Sequence, residues 1–238
     1  MAKTVMKPDQ RGFSLIELMV VLVVVTIFVS ISLFFYEGHR SLYRPDETAL
    51  LVGDLLQEAR QRSLTQRETM RVEVDLTRKV ASLIDENRST TADDDVVIRA
   101  VNIPEPSVVT VGSRPANIPD NPPEPLPVPN AVFVSSVYTP SFGNNVATFR
   151  FLRDGSVVNA GNNSIGTGAT ASGATLHIWS PSETDATSSQ IARAITIIGS
   201  SGTIRTWEYD PALETTNKWK DSRRSGSYAG TTTGNANN

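Results

Sequence analysis

A single carboxylate, Glu17, stands at the head of a run in which residues 18 to 36 carry no charge. An acid near the start of a helix gains from the helix dipole. At the centre of a bilayer an ionised side chain costs about 2.5 to 3.5 kcal/mol, so the depth of Glu17 and the identity of its cationic partner decide what it does. Other residues able to do chemistry are sparse. The histidines are His39, just past the apolar run, and His177, between residues of strand character. There is no cysteine, which removes thiolate metal sites, Cys-His pairs and disulfides. No G-x-S-x-G, phosphate-binding loop or H-E-x-x-H pattern occurs. Asp93, Asp94 and Asp95 have the chemistry of a calcium site, but three consecutive acids point in different directions and read as a solvated loop. No catalytic residue, metal or cofactor is therefore expected, and the chain is not read as an enzyme. One basic cluster remains: Lys218, Lys220, Arg223 and Arg224 flank Trp219, a composition that suits nucleic acid. The formal net charge of −3 argues the other way.

The element that positions Glu17 is an apolar helix. Residues 13 to 36 as a helix span roughly 36 Å, enough to cross a bilayer. The flank before them carries Lys3, Lys7 and Arg11 against Asp9, and the far flank begins with Glu37, so the N-terminus is cytoplasmic and the chain beyond Tyr36 lies outside the cytoplasm. A cleaved secretory signal wants a shorter uncharged core and an A-x-A-like exit; the only such exit is Ser30-Ile31-Ser32. On Glu17 alone, the reading stops at a simple signal anchor.

The neighbourhood adds more. A short basic leader, Gly12, Phe13, Ser14-Leu15-Ile16 and then Glu17 at the fifth position from Phe13 resemble the start of type IV pilins and of the pseudopilins of type II secretion. The resemblance implies cleavage after Gly12 by a prepilin peptidase, N-methylation of Phe13, and a role for Glu17 in assembly with other pilins or pseudopilins. Cutting after Gly12 exposes an α-amine, largely protonated at neutral pH, four positions before Glu17 and so on the same helix face. In staggered parallel helices the Phe13 amine of one subunit meets the Glu17 carboxylate of the next, and this pairing selects one stagger.

Beyond the membrane, Pro45 predicts a kink or break at Arg44, with Asp46 capping a second helical stretch. Val52, Leu55, Leu56 and Ala59 recur at helical spacing against Asp54, Gln57, Glu58 and Arg60, an amphipathic helix to about residue 65. Met70, Val72, Val74 and Leu76 alternate with Arg71, Glu73 and Asp75, as in a half-buried strand that pairs with residues 80 to 84. Further strands are expected at 96–101, 132–138, 148–152, 176–179, 191–198 and 203–209, the last two closing a hairpin through residues 199–202. Residues 104 to 129 hold nine prolines of the chain's fourteen and predict an extended surface loop. Residues 159 to 174 offer almost nothing to bury. The stretches at 149–157 and 192–205 resemble the paired C-terminal strands of the GspH/FimT subgroup, and the junction at 55–74 fits it as well.

The expected class is α+β: a long N-terminal transmembrane and amphipathic helix carrying a mostly antiparallel β head. Its parts are a leader (1–12), a transmembrane helix (13–36), an amphipathic continuation (37–66), a periplasmic β-rich head (67–220) and a flexible tail (221–238). The resemblance implies a minor pilin or pseudopilin. Its location is the inner membrane, single-pass, with incorporation in a pilus or pseudopilus. The alternative is a DNA-binding minor pilin that uses Lys218, Lys220, Arg223 and Arg224. Losing the leader takes the net charge from −3 to −5, since three basic residues and one acidic residue leave; this favours a solvated tail over a nucleic-acid surface.

Overall fold

The computed structural model describes residues 14–86, 95–182 and 188–222. The chain divides into two compact units, Met1–Arg40 and Ser41–Asn238, and helix α1 (Leu15–Gln66) supplies residues to both. An N-terminal apolar helix followed by a mostly antiparallel β-sheet head makes the chain α+β.

In the first unit, the stretch Leu15–Leu33 has a mean hydropathy of 2.7 and none of it is buried by protein. It is long and apolar enough to cross a membrane, and only lipid or other helices can cover such a surface.

In the second unit, α1 runs through Pro45 without the expected break, and Asp46 lies inside the helix rather than capping it. Proline removes one helical hydrogen bond at a cost of about 3 kcal/mol. Tertiary packing offsets this cost: Pro45, Thr48 and Ala49 are buried, and the Asp46 carboxylate accepts a hydrogen bond from Arg193 of a distant strand. One turn further, Val52, Leu55, Leu56 and Ala59 are fully buried, as their spacing predicts. The helix ends where Arg67 adopts φ 57°, the left-handed conformation that caps many helices.

Among the described residues, the head holds eleven strands. They are β1 (Met70–Asp75), β2 (Val80–Asp85), β3 (Val96–Asn102), β4 (Thr110–Gly112), β5 (Val134–Ser135), β6 (Asn145–Phe151), β7 (Val157–Val158), β8 (Ala174–Pro181), β9 (Ser189–Ile198), β10 (Thr203–Tyr209) and β11 (Trp219–Asp221). The first sheet has the order β3-β2-β1-β6-β5, with β7 also on β6; the second is β11-β10-β9-β8-β4. All pairings between these strands are antiparallel. The expected hairpins β1-β2 and β9-β10 are present, the latter turning through Gly202 at φ 59°.

The core lies between the inward faces of both sheets and α1. Met70, Val72, Val74, Phe149 and Phe151 from the first sheet share it with Leu176, Ile178, Ile195 and Ile197 from the second and with Leu55 and Leu56. Fully burying each such side chain stabilises by roughly 1.5 to 3 kcal/mol.

Four further expectations need correction. Strand β1 is buried on both faces, not one, because loops lie over Arg71, Glu73 and Asp75. The strand expected at 132–138 shrinks to Val134–Ser135; Tyr138 instead turns inward under a loop and is fully buried. The proline-rich segment is not a bare surface loop: it contributes edge strand β4, and it buries Val109, Val111 and Ile118. Its prolines keep it out of a sheet centre, consistent with β4 standing last in its sheet. Finally, Asp221 belongs to β11 rather than to a tail; residues from 223 onward lie outside the described ones.

Candidate functional site

The helix start is the first place to look. Ser14 precedes α1, and its Oγ accepts a hydrogen bond from the backbone N–H of Glu17 at 3.2 Å. The Ser14 carbonyl accepts from Leu18 at 3.2 Å. Ser14 is thus the N-cap and Glu17 the third helical residue, the spacing of a capping box. That spacing was readable in the sequence as S-x-x-E. The hydroxyls further along satisfy themselves: Ser30 donates to the Thr26 carbonyl at 2.8 Å, and Thr26 donates to that of Leu22. Glu17 is the only charged side chain in Leu15–Leu33. It is exposed, among Leu18, Val20 and Val21 that are themselves 54 to 61% exposed. A carboxylate surrounded by uncovered apolar surface calls for a cation from outside this helix. Gly12 and Phe13, the expected cleavage and methylation positions, lie outside the described residues.

The basic cluster is brought only partly into view. Lys218 Nζ donates to the Pro211 carbonyl at 2.7 Å. Lys220, on β11, reaches Glu208 at 3.3 Å and Asp210 at 3.4 Å. Both lysines serve the edge of the second sheet; Arg223 and Arg224 lie outside the described residues. Of the three consecutive acids, Asp93 and Asp94 are also outside, while the Asp95 carboxylate accepts from Arg71 at 2.8 Å.

Two buried polar clusters in the head had no signal in the sequence, where their members read as ordinary strand or loop residues. Over the first sheet, Arg71 Nε donates to Glu73 at 2.8 Å, and its Nη1 donates to Glu86 at 3.0 Å and to Asp95. Arg150 grips Glu86 with two donors, at 2.8 and 2.6 Å. The Arg71 guanidinium stacks 4.0 Å from the Tyr138 ring centroid. Loops close the cluster: Arg71 Nη2 donates to the Thr139 carbonyl at 3.2 Å, and the Tyr138 hydroxyl donates to that of Ala160. Burial pushes the Glu73 carboxyl up from its ordinary value, only partly opposed by Arg71 and a hydrogen bond from Ser141. Burial also pushes the Tyr138 hydroxyl up to about 12. For Arg71, burial acts downward but Glu73, Glu86 and Asp95 outweigh it and hold the guanidinium charged.

Over the second sheet lie Trp179, Trp207 and Trp219 with Ile118, and His177 beside them with its ring 5.7 Å from that of Trp219. Neither His177 nitrogen has a hydrogen-bond partner among the described residues. Burial, with a contribution from Arg114, pulls its pKa down to about 3, so the ring is neutral. The Glu124 carboxylate, 1% exposed, takes hydrogen bonds from Trp207 Nε1 at 3.1 Å and Arg205 at 3.0 Å. Trp219 Nε1 donates to the Asp120 carbonyl at 2.7 Å. These contacts strap the proline-rich segment to the sheet. Neither cluster combines a nucleophile, a base and an open cleft, and no group of three or more potential metal ligands occurs among the described residues.

Against this geometry, a family model described as the prokaryotic N-terminal methylation motif matches residues 7–33. The match covers Gly12, Phe13, Ser14 and Glu17 and ends with the apolar stretch of α1. It supports a type IV pilin-like protein, a precursor processed by a prepilin peptidase that assembles with other pilins, and it is consistent with membrane anchoring. No curated protein and no solved structure matches the chain.

Proposed function

We propose that the chain is a minor pilin or pseudopilin of the GspH/FimT subgroup, a structural subunit cut after Gly12, N-methylated on Phe13, and packed into a periplasmic filament with Glu17 setting the register. In the membrane it is held single-pass, N-terminus cytoplasmic and head periplasmic. The observation that carries the reading is the methylation motif over residues 7–33 laid on the apolar stretch of α1, Leu15–Leu33, whose one charged side chain stands amid uncovered apolar surface. An assembly of such helices supplies both missing components at once: apolar cover for the valines and leucines, and a neighbour's α-amine for the carboxylate. Contacts of this kind are heterologous and propagate along an axis. The subgroup is supported by β6 running through an Asp154-Gly155 turn into β7, and by the β9-β10 hairpin.

Mass spectrometry of the protein from cells carrying a prepilin peptidase tests it directly. The mature chain is expected to begin at N-methylated Phe13; a chain beginning at Met1 or elsewhere rejects the assignment. Glu17→Val is expected to insert in the membrane and yet stay out of filaments, and normal incorporation would remove Glu17 from its role. Among the described residues the DNA-binding alternative gains no support, since Lys220 is engaged by two carboxylates of the head.

A further inference from the structure

The first sheet has a gap in one edge. On the side of β6 away from β1, β5 covers Asn145 and Val146, and β7 covers Arg150 and Phe151. Among the described residues, Ala147, Thr148 and Phe149 have no strand opposite them there. The Asn144 carbonyl accepts from Ser136 on that side, and Leu152 donates to Ser156 on it. Alternation along the strand therefore turns the N–H and C=O of Thr148 to the gap. A cavity of about 330 Å³ opens beside them, with no charged residue in its lining. Its apolar wall includes Val132, Val134, Phe149 and Val158.

The connection between β5 and β6 carries a knob of matching character. Among the described residues of the second unit, Phe142 is the most exposed large apolar side chain, at 75%, and Val132 on the cavity wall is next, at 71%. The loop beneath Phe142 is pinned. Gly143, at φ 79°, donates to the Ser136 carbonyl at 2.9 Å, and Asn144 donates to that of Ser141 at 2.9 Å. The buried Ser141 hydroxyl donates to Glu73. A loop held in this way has little freedom left to lose on binding. Residues 139 to 144, TPSFGN, carry no charge, as the cavity lining carries none. The Phe142 N–H and C=O have no hydrogen-bond partner among the described residues, and they complement those of Thr148.

We infer that this cavity receives Phe142 of a second copy of the chain. A cavity of about 150 Å³ holds benzene, so one of about 330 Å³ admits a phenylalanine side chain. A chain's own Phe142 does not reach it. Thr148 lies four residues beyond Asn144, roughly 13 Å at the rise of a strand, and the pinned loop keeps Phe142 at the far end of the hairpin. One contact between copies covers Phe142 and Val132 together and lets the Phe142 backbone exchange two hydrogen bonds with Thr148. Knob and cavity are different surfaces, so the contact is heterologous and repeats from copy to copy. A single aromatic anchor buries less area than a stable dimer needs, which makes the contact transient. It requires neither cleavage after Gly12 nor a filament, and so stands apart from the filament assignment.

Two forms of the full chain, mixed in detergent, test it. One carries Phe142→p-benzoylphenylalanine, which keeps an aromatic ring at the tip and cross-links on illumination. The other is isotopically heavy and otherwise unchanged, so mass spectrometry separates contacts between copies from contacts within one. Cross-links from position 142 to the heavy chain are expected at Val132, Val134, Thr148 or Phe149. Cross-links confined to the light chain, cross-links on other surfaces of the heavy chain, or none at all overturn the inference. Val132→Lys in the heavy chain sets a charge in the cavity mouth and is expected to lower the yield by about fivefold or more. Val96→Lys, also at an exposed position but on the opposite edge strand β3, is expected to leave it unchanged. Equal yields from the two variants overturn the inference as well.

Discussion

On the outer face of the first sheet, two guanidiniums and three carboxylates are buried under loops; on that of the second, three tryptophans and a neutral histidine lie under a proline-rich strap. Both faces would be wet in a simpler sandwich, and both are closed here by segments with little regular structure. The means differ in consequence. An ion network binds its cover through directional hydrogen bonds, and losing one member leaves an opposite charge buried and uncompensated. An aromatic face binds its cover through area, and losing one contact forfeits mainly that area. The first sheet's cover is thus coupled across Arg71, Glu86 and Arg150, while the second's is closer to a sum of contacts with one charged anchor at Glu124.

This contrast can be broken most forcefully at Arg71. Arg71→Ala removes the guanidinium shared by Glu73, Glu86 and Asp95, leaving more buried negative charge than Arg150 offsets, and is expected to cost about 3 to 5 kcal/mol in denaturant unfolding of the head. A loss under about 1 kcal/mol would show that the network carries no such coupling. Ile118→Ala removes a buried anchor of the strap and is expected to cost about 2 to 3 kcal/mol, towards the low end for a core position because a loop can relax into the space. A cost as large as that of Arg71→Ala would erase the distinction between the faces.

Smaller effects sharpen it through pH. His177 has a folded pKa of about 3 against its ordinary 6.5. Between those values the unfolded chain binds the extra proton, so stability is lost as the pH falls from about 6.5 towards 3. His177→Phe, which replaces two unpartnered nitrogens with carbon, is expected to change stability by less than about 1 kcal/mol at pH 7 and to lose less than the wild type on acidification. An unchanged acid limb would place the ring in contact with water. Glu73 carries the opposite sign. Its folded pKa is raised by burial, so the folded state holds the proton more tightly and this group's contribution to stability declines as pH rises from the ordinary carboxylate range through the raised value. Glu73→Gln is expected to remove that decline, read as a flatter dependence of unfolding free energy on pH over that interval. A steeper fall in the variant would contradict it.

Much of the architecture was legible. The alternation at Met70, Val72 and Val74, the helical spacing of Val52, Leu55, Leu56 and Ala59, and the glycine turn before Thr203 each reflect a local period that burial on one face imposes. At the helix start, the methylation motif was legible because its residues are contiguous. The outer faces were not. Arg71 and Glu73 read as solvent-facing members of a half-buried strand, since alternation reports which residues share a face and not what covers it. Arg150, Glu86 and Asp95 are far apart in sequence and meet only through β1-β6 pairing and loop closure. Pro45 read as a break because local cost was visible and the burial that offsets it was not.

The amino-acid sequence by itself determined the apolar span, its solitary carboxylate, the processing motif and the strand periodicity, all properties of residues within one helical turn or one hairpin of each other. Tertiary structure alone decided that strands β1, β6 and β8 are buried on both faces and that the proline-rich segment is a strap. Those outcomes depend on which distant segments come to rest on a surface, and desolvation and hydrogen-bond pairing act only once the surfaces meet.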